Sequence, residues 1–87
     1  MTNEEAFTLI ANYFNEQFEI DRDKITLEAN LFVDLKLDSI DALDMAGMLE
    51  SELDIEVEEE ELMAIRTVQD VVNFLLTKTP AVEAAAT

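Results

Sequence analysis

The chain of 87 residues carries 21 acidic and 5 basic side chains, a formal net charge of −16, while 49% of it is hydrophobic. A chain of this length is one folding unit with one core, and the apolar share is high enough that the acidic excess does not imply disorder. So negative a surface repels phosphate backbones and anionic headgroups, which disfavours nucleic acid and membranes as partners and favours basic protein faces.

Cys and His are both absent. Disulfides, thiolate metal sites, cysteine nucleophiles and histidine triads are therefore impossible, and independent catalysis is left with paired carboxylates alone. No metal site is expected. Residues 1–5 lack the basic start and apolar run of a signal peptide, and no stretch approaches membrane-spanning length, so a cytoplasmic location is expected. The chain is also expected to be a monomer.

One Gly, one Pro and no alternation of β-branched with polar residues predict an all-α fold, a four-helix bundle with a long loop between helices 1 and 2 and a short third helix. The first helix opens on Thr2-x-x-Glu5, a capping-box pattern, and places Phe7, Ile10, Phe14 and Phe18 on one side. Over residues 19–38 the periodicity fades. A structureless loop of that length is uncommon, so Ile20, Ile25, Leu27, Leu31, Phe32, Val33, Leu35 and Leu37 should pin it, or it should contain a helical turn. A second helix is expected from about Ser39 to Leu53 with Asp38 as N-cap. The acidic run 58–61 followed by Leu62, Met63 and Ile65 suggests the short third helix. The last opens on Thr67-x-x-Asp70 and carries Val68, Val71, Val72, Leu75 and Leu76 at helical spacing until Pro80. Residues 1–79 are thus expected to form the domain, and 80–87 a flexible, small-sided tail.

The second helix has two apolar lines. Ala42, Met45, Leu49 and Leu53 form one; Ile40, Leu43 and Gly47 form another, bordered by Asp38, Asp41 and Asp44. Either the helix is central and buried over a wide arc, or the second line is an apolar strip on which a partner docks.

The run Asp34-Leu35-Lys36-Leu37-Asp38-Ser39-Ile40-Asp41 resembles the acyl carrier protein motif D-L-G-x-D-S-L-D, whose serine bears 4′-phosphopantetheine. The likeness extends over residues 3–78: an aromatic amphipathic helix precedes, an apolar-pinned loop leads in, residues 50–57 match the family's acidic helix end, and Thr67-Val68-Gln69 opens the last helix. The resemblance implies that Ser39 is the attachment point, and that the chain is a non-catalytic carrier of acyl thioesters for fatty acid, lipid or polyketide synthesis. A phosphodiester at Ser39 would meet free N–H groups and the positive end of the helix dipole. The resemblance also implies that Asp38, Asp41, Asp44, Glu50 and Glu56, with Ile40, Leu43 and Gly47, contact basic patches on a phosphopantetheinyl transferase, ketoacyl synthases and acyltransferases. The prosthetic thiol accounts for a chain without Cys, and a tethered arm raises the effective concentration of its cargo at each enzyme. Family members often hide the acyl chain among the helices; Met45, Leu49 and Met63, with the adaptable Met48, are candidates to line such a pocket.

Three positions depart from the family pattern: Lys36 stands where Gly is usual, Gly47 where a bulky apolar side chain is usual, and Glu58 where Pro is common. These point to a specialised carrier. Self-repulsion of the acidic clusters should leave a small core sensitive to salt. The competing reading is an acidic interaction module in which Asp38-Ser39 only starts a helix. A calcium loop beginning at Asp34 fails, because Lys36, Ser39 and Met45 occupy positions that need an oxygen ligand, Gly and Glu. Peptidyl carriers usually have Gly before the serine, where this chain has Asp38.

Overall fold

The computed structural model describes residues 2–78. Four helices follow in order: α1 (Asn3–Phe18), α2 (Ser39–Leu53), α3 (Glu59–Ala64) and α4 (Val68–Lys78), with one 3-10 turn, Arg22–Lys24, between α1 and α2. The expectation for the tail 80–87, Pro80 included, lies outside the described residues.

Each long helix begins on a side-chain cap that the sequence announces. Thr2 Oγ1 accepts the Glu5 N–H at 3.1 Å and Glu5 Oε1 accepts the Thr2 N–H at 2.9 Å. At α4 the same exchange joins Thr67 Oγ1 to the Asp70 N–H at 3.1 Å and Asp70 Oδ2 to the Thr67 N–H at 3.2 Å. These bonds satisfy donors that have no partner inside the helix. The apolar faces then meet: Ile10 and Phe14 of α1, Met45 and Leu49 of α2, and Val68, Val71, Val72 and Leu75 of α4 are fully buried with Leu31 from the loop. Each such side chain contributes roughly 2 kcal/mol by leaving water. Phe7 and Phe18 are half-buried against this core. The Glu61–Lys78 ion pair, at 2.9 Å, ties α3 to α4.

The connection 19–38 uses both expected devices, a short helical turn and buried apolar pins at Ile25, Leu31, Leu35 and Leu37. Phe32 and Val33 correct the expectation, since they stand 40% and 73% exposed. The cause is a tight turn built on Asn30: its Oδ1 accepts the N–H groups of Phe32 and Val33, both at 2.9 Å, and Asp34 Oδ2 accepts the Asn30 N–H at 2.8 Å. Leu31 and Leu35 are directed inward from this turn and the three residues between them outward. The loop is also stitched to the start of α4 through an antiparallel bridge between Asn30 and Thr67. Leu31 N–H donates to Arg66 O at 2.8 Å, Val68 N–H to Ala29 O at 3.1 Å and Gln69 N–H to Leu27 O at 2.9 Å. Loop carbonyls therefore satisfy first-turn donors of α4, and the segment leading to Ser39 is fixed to the far end of the chain.

Candidate attachment site and docking face

The start of α2 is set by two carboxylates. Asp38 is extended, with φ −120°, and its Oδ1 accepts the Asp41 N–H at 2.9 Å while Asp41 Oδ2 accepts the Asp38 N–H at 3.2 Å. Ser39 is the first helical residue and is exposed, and its hydroxyl has no hydrogen-bond partner among the described residues. A group attached there lies at the positive end of a 15-residue helix, where a negative charge is favoured.

The two apolar lines of α2 separate cleanly. Met45 and Leu49 are buried, Leu53 packs at the margin of the core and Ala42 is half-buried. Ile40 and Leu43 stand 67% and 60% exposed and Gly47 is exposed beside them, so the second line faces solvent. A Cβ built on Gly47 would meet nothing within 4 Å. Asp38 and Asp44 are exposed and Asp41 is half-buried. Farther along, Glu50 and Glu56 are exposed, and Glu50 Oε2 accepts the Val57 N–H at 3.0 Å, bracing the connection to α3. Asp41 and Glu50 thus have local structural roles beside any contact with a partner. The sequence signal for Asp41 was the D-x-x-D spacing, equivalent to the capping patterns at Thr2 and Thr67.

Tyr13 of α1 adjoins the same acidic face. Burial raises its pKa, and the charges of Asp44 and Asp41 raise it further, so the phenol is held neutral.

The expected pocket residues are not brought together. Met45 and Leu49 belong to the core, whereas Met63 stands 71% exposed. At α3 the inward positions are taken by Leu62 and by Ile65, the residue that closes the helix; these pack on the core and leave the residue after Leu62 facing out. A recess of about 590 Å³ lies elsewhere, between the first turns of α1 and α4, where Phe7, Leu27, Gln69 and Val72 border it.

At Lys36 the structure replies directly to the sequence. Its φ is 60°, the left-handed conformation that Gly adopts freely, so the backbone that a Gly would favour is present here with a lysine on it.

The phosphopantetheine attachment site family matches this chain over residues 8–75. An acyl carrier protein of Petrotoga mobilis is 36% identical over 78 residues, covering 90% of this chain and 92% of that one. This chain belongs to the acyl carrier protein family. Acyl carrier protein 2 of Ralstonia nicotianae is 43% identical over 72 residues, covering 83% and 89% of the two chains. Among solved structures, the acyl carrier protein of Enterococcus faecalis superposes with a TM-score of 0.76 at 30% identity, covering 91% of this chain and all of the other. That of Thermotoga maritima superposes with a TM-score of 0.77 at 26% identity, covering 87% and 88%. The protein is a carrier, and 4′-phosphopantetheine is its prosthetic group. An exposed, unpartnered hydroxyl in the first turn of a capped helix fits that group. Among the described residues no helix is long and apolar enough to cross a membrane.

Proposed function

We propose that Ser39 is the residue that carries the arm, and that the solvent face of α2 is where the enzymes serving this carrier dock. The observation that carries the reading is the free, exposed Ser39 hydroxyl at a helix start braced by Asp38 and Asp41. When bound, the arm supplies a thiol that holds acyl chains as thioesters. The chain's own residues present and orient it: Asp38 and Asp41 hold the first turn of α2 in place, and the first-turn N–H groups stabilise the phosphodiester. Ile40, Leu43 and Gly47 offer an apolar strip, bordered by Asp38, Asp41 and Asp44 and continued by Glu50 and Glu56. The partners this suits are a phosphopantetheinyl transferase and then ketoacyl synthases and acyltransferases with basic docking surfaces, in fatty acid, lipid or polyketide synthesis. The chain catalyses nothing itself and works as a cytoplasmic monomer.

The test is the intact mass after incubation with coenzyme A and a broad-specificity phosphopantetheinyl transferase, beside Ser39→Ala. A gain of one phosphopantetheine on the parent and none on the variant is expected. A folded parent that gains nothing from several transferases would favour an acidic interaction module instead.

A further inference from the structure

Three non-glycine residues have positive φ among the described residues: Glu19 at 56°, Lys36 at 60° and Asp54 at 55°. Glu19 and Asp54 cap the ends of α1 and α2, where a left-handed residue is the ordinary way to close a helix. Lys36 closes no helix. It reverses the chain between buried Leu35 and buried Leu37, so that the Leu37 N–H reaches Leu31 O at 2.9 Å and Asp38 arrives extended at its cap. That turn needs left-handed backbone, which a Cβ opposes. Loop closure therefore accounts for the conformation but not for the lysine.

The side chain has no internal task. Lys36 is exposed and forms no ion pair or hydrogen bond among the described residues, although Glu19, Asp21 and Asp34 border the same shallow recess, together with Lys24. Its place in the charge pattern is equally specific. Residues 37–65 contain 11 acidic side chains and no Lys or Arg, so Lys36 marks the edge of a stretch of one sign, three residues before Ser39. An enzyme offering only positive charge to this region would meet a like charge at that edge.

We propose that Lys36 determines docking specificity by meeting a carboxylate at the border of the basic surface on the transferase that modifies Ser39. The proposal rests on the reading of Ser39 and α2 given above. Lys36 then fixes the register of the acidic face on its partner and discriminates against enzymes with a basic residue at that border.

Steady-state phosphopantetheinylation by the source organism's transferase tests this with the parent, Lys36→Arg, Lys36→Gly, Lys36→Glu and Lys24→Glu. If overall charge alone governed capture, both Glu variants would be more acidic and react faster. Lys36 acting as proposed requires Lys36→Glu to lose about threefold or more in kcat/KM, mostly through KM, and the loss to shrink at high salt. Lys36→Arg should keep the parent's rate, Lys24→Glu should not slow it, and Lys36→Gly should lose rate while melting no lower than the parent, which separates docking from folding. Lys36→Glu matching or exceeding the parent, or Lys24→Glu slowing equally, overturns the proposal alone. A parent that is never modified overturns the Ser39 reading and this proposal with it.

Discussion

Asp38 and Asp41 exchange hydrogen bonds across Ser39, each carboxylate accepting the other's backbone N–H, at 2.9 and 3.2 Å. The acids that border the exposed apolar strip therefore also set the helix on which Ser39, the proposed attachment residue, sits. Folding and docking can be separated at Asp38. Asp38→Ala should lose about 1 kcal/mol of stability with the cap, whereas Asp38→Ser, itself a good cap, should hold most of it. Both should raise the transferase KM, since both remove the charge. Equal melting temperatures for the two variants would contradict the capping role.

Gly47 sits inside α2 with open space where a side chain would project. Gly47→Ala should stabilise the protein by about 1 kcal/mol through helix propensity alone, raising its Tm by roughly 4–8 °C for a domain of this size. An unchanged or lower Tm in a thermal melt would show that the position needs its glycine.

Much of this arrangement is legible in the residues because its signals are local. Thr2-x-x-Glu5, Asp38-Ser39 and Thr67-x-x-Asp70 each start a helix where the pattern places it, since a cap is decided by side chains three positions apart. What stays hidden is non-local or masked by residue type. Nothing near Asn30 announces its bridge to Thr67, which depends on how the chain folds back. The left-handed turn at Lys36 has no signal in a lysine, where a glycine would have displayed one. That Met63 points outward is not legible either, because α3, residues Glu59–Ala64, is too short for periodicity to decide between it and Leu62. The exposed apolar strip lies between: periodicity divides α2 into two lines, and only packing shows that Ile40 and Leu43 form the wet one.

Tyr13 offers a spectroscopic check on the acidic face, because it is the single tyrosine in a chain without Trp. Burial first, then Asp44 and Asp41, raise its pKa above the ordinary 10.0. The folded state thus holds the proton more tightly than the unfolded chain, and stability is lost as the pH rises past the unfolded value towards the folded one. Phenolate absorbance should show a midpoint above 10.0 in the folded protein. Asp44→Asn should lower that midpoint without returning it to the ordinary value, since burial remains. A midpoint at the ordinary value in folded protein would contradict the placement of Tyr13.

The charge of −16 has a consequence for stability, since residues 37–65 hold acids without a single internal cation. Screening weakens repulsion between exposed charges separated by about a Debye length, roughly 10 Å at 0.1 M salt. The melting temperature should therefore climb as salt is raised from a few millimolar into this range, and more so with divalent cations. A flat profile would contradict self-repulsion as a destabilising force.

The residue that carries the arm can be read directly, because the chain has only two serines, Ser39 and Ser51, both exposed on α2. After loading from coenzyme A, trypsin should release residues 37–66 as one peptide containing both. Fragment-ion mass spectrometry of that peptide should place the whole phosphopantetheine on Ser39, at the capped helix start. Modification on Ser51, or on any residue outside this peptide, would contradict the account.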